Sequence, residues 1–249
     1  MLYLDGPGKT LEDLDAIPVP TARPWDSRGT SHWQPINHGR LARTIIAESE
    51  AQGLEIRSQQ WETNGTGSDL FGSLSFHRSR EHPLPRGLGL SIGVRHSNAG
   101  RYAVTLVFGA DVFVCSNGMM VGEHPLTRKH TLGLDLNEAV AAGIASYLYE
   151  LPGIGDFVRR MKKVRLEIRQ ADHLLAEAGR RKVVPWSQIG KVEQAWREPE
   201  HDVFEPRNAW SLYNAFTSVS RRRSARGQLD ALRGLGDLFA PGSLEALVG

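Results

Sequence analysis

The alternation of apolar and polar positions divides the chain into a short helix, a run of strands and a helical second half. Leu41, Ile45, Ile46 and Ala51 share one side of a predicted helix from His38 to Gln52, with Asn37 placed to cap it and Gly53 to stop it. Period-two patterns then predict strands at Leu54–Trp61, with Leu54 and Ile56 on one side, and at Leu70–His77, with Leu70, Gly72, Leu74 and Phe76 on one side. Asn64-Gly65 between them is a hairpin signal. Leu88, Leu90, Ile92 and Val94 mark a third strand, Leu88–His96. Tyr102–Phe108 and Val112–Ser116 follow, separated by a predicted turn at Gly109-Ala110-Asp111, and Asn117-Gly118 turns into Met119–Val121. No helix interrupts these strands, so they are expected to form an antiparallel meander.

Asp135 and Glu138 form an acidic capping box that opens a helix from Leu136 to about Leu151. Ile154, Phe157, Met161, Val164, Ile168, Ala171, Leu175 and Ala178 alternate spacings of three and four, a heptad seam on one long helix ending at Gly179. Such a seam packs on another helix, in this chain or in a partner subunit. Three shorter helices are predicted at Trp186–Trp196, Ala209–Arg222 and Gln228–Phe239. Residues 1–34 hold Pro7, Pro18, Pro20 and Pro24 and read as an irregular arm, with Met1–Asp5 able to form an edge strand. The expected organisation is an arm (1–34), an α+β core with an antiparallel sheet and long basic helix (35–182), and a helical C-terminal region packed on it (183–249).

Composition narrows the setting. The 249 residues, 40% hydrophobic and 23% charged, suit a folded globular chain. A single cysteine, Cys115, excludes an intramolecular disulfide framework and fits a reducing compartment. The first residues, MLYLDGPGKTLEDLD, lack the basic and apolar regions of a signal peptide. The stretch Leu136–Leu151 is too short and too polar to span a bilayer, so a cytoplasmic protein without membrane contact is expected.

No catalytic, metal or cofactor motif emerges. Gly8-Lys9-Thr10 resembles the end of a phosphate loop, but Tyr3 stands where that motif needs its first glycine. Gly87, Gly89 and Gly93 have the wrong spacing for a dinucleotide fingerprint and run into a strand. His77 with His82, and His124 with His130, lack the i, i+4 spacing of helical metal ligands and read as surface or loop residues. Cys115 reads as a buried structural thiol, while Asp69, Asp111 and Glu123 stand alone in turns.

Charge is more informative in its distribution than in its sum of +2. Nine Lys/Arg face four Asp/Glu between Asp156 and Lys182, and Arg221, Arg222, Arg223 and Arg226 form a second knot. Arg95 and His96 with Arg101 place cations at one end of a hairpin, and Arg128, Lys129 and His130 make a loop cluster. Arg159, Arg160, Lys162, Lys163 and Arg165 decorate the start of the seam helix, where like charges repel unless an anion neutralises them. Trp33, Trp61 and Tyr102 are candidate faces for stacking unpaired bases. The alternative is solvated charge over core aromatics.

The phrase LSIGVRHSNAGRYAVTLVFGADVFVCSNGMMVGE resembles the central signature of the phage/plasmid-like proteins of domain of unknown function 932. Arg95, Ser97, Asn98, Val112 to Cys115, Asn117, Gly122 and Glu123 carry the likeness, and Asn208–Ser224 resembles that family's later helix. With INHGRL and DLFGSLSF upstream, the resemblance spans roughly residues 33–240 and omits the Pro-rich start. It implies a protein carried by phages or plasmids. The element order is also similar to the core of single-strand annealing proteins, which assemble into rings or filaments along a basic groove.

These readings set three expectations. The first is a homo-oligomeric single-stranded DNA-binding or strand-annealing protein acting in recombination or replication, without catalysis. Phosphates would then contact Arg95, Arg101, Arg128, Lys129, Arg159, Arg160, Lys162 and Lys163. The second is a protein-interaction module, such as an inhibitor of a host defence enzyme. The third is an enzyme built on Cys115 or a His/carboxylate site.

Overall fold

The computed structural model describes residues 8–21, 33–77, 82, 84, 88–112, 117–120, 126–220, 223 and 225–249, with backbone only at 110–112, 117–120, 225, 226 and 229. The α+β expectation holds. A six-stranded antiparallel sheet is built from β1 (Ile56–Thr63), β2 (Asp69–Phe76), β3 (Leu88–Ser97), β4 (Val104–Val112), β5 (Asn117–Met120) and β6 (Leu126–Arg128). The strands lie in the order β1-β2-β3-β4-β5, and β6 pairs with the first half of β4.

Period-two alternation gives this sheet two unlike faces. Leu70, Leu74, Ile92, Val94, Leu106 and Trp61 point into the core, all buried. On the opposite face, Ser73 pairs with Gly93, Ser75 with Ser91 and Phe71 with Arg95. The apolar face is covered by α2 (His38–Ala51) and α3 (Leu136–Lys163). Phe108 stacks on Tyr147 of α3 at 4.9 Å, and the Tyr147 hydroxyl donates to the Gly109 carbonyl.

Three elements differ from the pattern-based expectation. The expected turn at Gly109-Ala110-Asp111 is continuous strand, because Gly109, Ala110 and Asp111 pair with Met120, Met119 and Gly118. That pairing also makes Asn117-Gly118 the start of β5 rather than a turn. Second, the arm is not wholly irregular. Thr10 caps α1 (Leu11–Asp15), and Leu14 of α1 is fully buried. Asp15 accepts from Arg43 of α2 at 2.7 Å. Gly39 of α2 leaves room for the contact, since a Cβ there would lie 2.0 Å from the Asp15 carboxylate.

Third, the seam helix breaks ten residues later than its expected start. Pro152 sits inside α3 instead of ending it. It is solvent-exposed, where water can satisfy the carbonyl one turn back. The chain instead leaves the helix at Val164 and re-enters at α4 (Ile168–Arg180). Backbone groups freed there pair with a distant segment: Leu166 N donates to the Arg207 carbonyl at 3.0 Å, and Ala209 N to Val164 at 2.9 Å. Asn208 adds a side-chain bond to the Lys162 carbonyl and caps α6 (Ala209–Ser220) through Ser211 N. The seam itself is buried within the chain at Ile154, Phe157, Met161, Ala171, Leu175 and Ala178, while Ile168 is exposed.

The helical half is completed by α5 (Trp186–Arg197), a 3-10 turn (Asp202–Phe204), α6, α7 (Ala225–Leu238) and α8 (Pro241–Val248). Every residue of α6 from Ala209 to Thr217 is buried, and α6 touches α3, α5, α7 and β5. One hydrophobic cluster therefore runs from Leu14 to Leu244. No helix among the described residues is long and apolar enough to cross a membrane. Cys115, Glu123, His124, Arg221 and Arg222 lie outside the described residues, as do Met1–Asp5.

Candidate functional site

The β1–β2 turn, the β3–β4 turn, the chain leaving β6 and the segment entering α2 meet at one pole of the sheet. Its organising anion is Asp69, the first residue of β2 and only 5% exposed. Ser97 Oγ donates to it at 2.6 Å, Arg101 Nε lies 2.8 Å away, and Asn64 Nδ2 donates at 3.3 Å. Arg101 also reaches Ser68 Oγ at 2.8 Å, so one guanidinium ties the two turns together. Asn98 then clamps the incoming segment from both sides, accepting from Ile36 N at 3.1 Å and donating to the Ile36 carbonyl at 2.9 Å.

Beneath this network lie three buried histidines from three elements: His38 of α2, His96 of β3 and His130 after β6. The Gly67 carbonyl can only accept, so His38 Nε2, 2.9 Å away, carries a proton. Neutral His38 therefore offers its Nδ1 lone pair to His96 Nδ1–H at 3.1 Å. Gly67 holds its carbonyl there with a φ of +69°, a conformation that favours glycine. His130 stacks on His96 at 4.6 Å and 8°, and Trp33 lies parallel to His130 at 6.3 Å. The Trp33–Thr131 bridge and the Gln34 N–His130 O bond at 3.2 Å hold this edge in place. His96 Nε2 and both ring nitrogens of His130 are buried with no hydrogen-bond partner.

All three histidines are held neutral. Burial is the main cause each time. For His38 the Gly67 bond and the Asp69 charge oppose it, whereas His96 is lowered further by His130 and His38. Burial and His38 bring His130 down to about 4. An unfolded histidine takes up its proton near pH 6.5. Between these values the unfolded chain binds a proton that the folded one refuses. Stability is thus complete above about pH 6.5 and is lost as the pH falls toward 4. His130 by itself should cost about 2 kcal/mol at pH 5. Urea unfolding at pH 7.5 and 5.0 measures this, and equal stabilities would contradict it.

The predicted site residues fall into separate groups. Arg95, Arg101, Tyr102, Arg128 and Lys129 do gather at the histidine pole. Arg95 lies on the Tyr102 ring at 4.7 Å, with Phe71 edge-on to that ring at 6.0 Å. Arg128 and Lys129 are exposed, but Arg101 is engaged by Asp69. His96 is no surface cation, and Asp69 does not stand alone. Trp61 is 2% exposed, with its ring against Gly72, and so offers no open face for a base. Thr10 serves as a helix cap rather than part of a phosphate loop.

Arg159, Arg160, Lys162 and Lys163 lie at the far end of α3, about 40 Å away along its axis. Arg159 is paired with Asp156. Arg160, Lys162, Lys163 and Arg165 are exposed with no ion pair among the described residues, as is Arg207 across the α3–α4 break. Lys162 Nζ lies 5.9 Å from the Trp210 ring centre, and Arg207 equally far from that of Trp196. Both indoles are buried. Arg207 was missed in the sequence because its neighbours in space come from a segment some forty residues earlier. Among the described residues no group of three His, Cys, Asp or Glu side chains could hold a metal ion.

Residues 34–233 match the family model described as Domain of unknown function (DUF932). The chain belongs to this family. The DUF932 match starts at the segment that Asn98 clamps and covers the whole sheet, the histidine pole and the α3–α4 break. No curated protein and no solved structure matches the chain.

Proposed function

We propose that this protein binds single-stranded DNA and anneals strands for a phage or plasmid, without catalysis. The supporting observation is the α3–α4 break, where Arg160, Lys162, Lys163, Arg165 and Arg207 project without carboxylate partners among the described residues. Exposed, unpaired cations attract phosphates by counterion release, and this term needs no catalytic residue. The buried indoles below Lys162 and Arg207 hold the cationic groups outward over aromatic faces. Arg128 and Lys129, both exposed, form a second, smaller basic group at the other end of α3.

Fluorescence anisotropy with a labelled ~30-nucleotide strand, titrated at several salt concentrations beside duplex of equal length, tests the reading. Binding should favour the single strand and fall steeply with salt. The double variant Arg160→Ala/Lys163→Ala should reduce the log–log salt slope by about 1.4, or roughly 0.7 per phosphate contact. An unchanged slope would remove this cluster from the interface. No binding even at low salt would retire the nucleic-acid reading in favour of a protein partner.

A further inference from the structure

We propose that the His38–His96–His130 cluster is a protonation-sensitive latch that releases residues 33–37, the segment leading from the arm into α2, from the sheet. The proposal stands on geometry and is independent of nucleic-acid binding. Three imidazoles from three elements are in contact through the central His96 inside the pole, its ring centroid 4.9 Å from that of His38 and 4.6 Å from that of His130. The buried nitrogens of His130 and Nε2 of His96 have no partner to share an added proton. His38 is also the first residue of α2, where the helix dipole opposes positive charge.

Charges on the surrounding elements do little to accommodate that proton. Asp69 on β2 is the one described carboxylate acting on the cluster, and it acts on His38. It is already matched by Arg101 of the β3–β4 turn. Arg95 of β3 points to the other face of the sheet. Arg40 of α2, Arg128 and Lys129 at the end of β6, and Asp135 opening α3 are solvent-exposed. Residues 33–37 carry no charge of their own. A protonated cluster must therefore reach water, and residues 33–37 cover its His130 side, with Trp33 parallel to that ring and Gln34 N bonded to the His130 carbonyl. The cover is held by the Trp33–Thr131 bridge, the Gln34–His130 bond and the two Ile36–Asn98 bonds.

Hydrogen exchange by mass spectrometry reads the opening directly. The peptide spanning residues 33–38 is compared with β2 and β3 peptides between pH 7.5 and 5.0, after correction for intrinsic exchange. The 33–38 amides should be less protected than the sheet at pH 5.0. Their opening constant should rise about 30-fold from pH 7.5, the factor linked to a proton refused until about pH 4. His130→Phe keeps the stacking plane and removes the His130 share of the titration, so it should diminish that rise. His130→Gln serves as a second, polar variant. Exchange of 33–38 at the same protection as the sheet at pH 5.0 would overturn the latch. So would an undiminished pH response in both variants.

Discussion

Replacing Gly72 by alanine should destabilise the protein by about 3 kcal/mol, although a glycine-to-alanine change within a strand ordinarily stabilises. Gly72 lies directly opposite Trp61 in the β1–β2 register, and the indole covers the missing side chain. A Cβ there would come within 2.2 Å and 2.3 Å of two Trp61 ring carbons. The ring has little freedom to retreat, because it is buried and its Nε1 donates to Gln59 at 2.9 Å. Val94 pairs with Gly72 from the other side. Trp61→Ala should cost about 4 kcal/mol through the cavity it leaves. The double variant should cost no more than Trp61→Ala, since the new methyl occupies vacated space. Urea midpoints with unchanged m-values give these quantities. A Gly72→Ala protein within about 0.5 kcal/mol of the native chain would disprove the contact, because overpacking is expected to cost more.

The same glycine shows what the sequence made legible. Alternation placed Leu70, Gly72, Leu74 and Phe76 on one face, and the structure keeps them there. What alternation could not supply was the partner: the glycine is required by an indole eleven residues earlier in the sequence. His96 carries a related lesson. It continues the inward series Leu88, Leu90, Ile92 and Val94, so period two already pointed it into the core. His38 likewise shares a helix face with Leu41 and Ile45. Reading His96 by residue type, as a cation at a hairpin end, hid a signal that was present in its position. His130 follows a three-residue strand, and no periodic pattern predicts its burial.

The long-helix boundary failed for a different physical reason. Heptad spacing records which side is buried, not whether the backbone stays helical. The seam remains buried across the α3–α4 break because Arg207–Ala209 supplies the hydrogen bonds that the helix loses. Conversely, Pro152 was a local stop signal overruled by packing on both sides of it: Leu151 and Ile154 are buried against the core. The basic residues expected at the start of the seam helix lie at the C-terminal end of α3. Their separation from the Arg128–Lys129 group is set by the length of α3, which the expected break at Leu151 had concealed.

Asp69→Ala should cost about 3–4 kcal/mol and loosen both turns of the histidine pole at once. The carboxylate is buried, yet it accepts from a hydroxyl, an amide and a guanidinium on three separate residues. Removing it leaves the Ser97 hydroxyl without an acceptor, leaves Asn64 Nδ2 only its bond to Ser68 Oγ at 3.1 Å, and frees Arg101 from its inner contact. Arg101→Ala should cost less, about 1–2 kcal/mol, because the arginine side chain is 50% exposed and Ser97 and Asn64 still serve the carboxylate. Asp69→Asn separates charge from shape. It retains the volume and the possibility of turn hydrogen bonds but loses the ion pair, so its cost should fall between the two. The combination Asp69→Asn/Arg101→Ala should cost less than the sum of its parts, with a coupling of about 1 kcal/mol. Additive losses would mean that Arg101 stabilises the pole through Ser68 rather than Asp69. Loss of protection should be largest at Ile36 and Asn98, since Asn98 N donates to the Ser68 carbonyl at 2.8 Å and its side chain grips Ile36. If Asp69→Ala instead leaves exchange there unchanged, the carboxylate does not organise the pole, and the clamp must be held by the histidine stack beneath it.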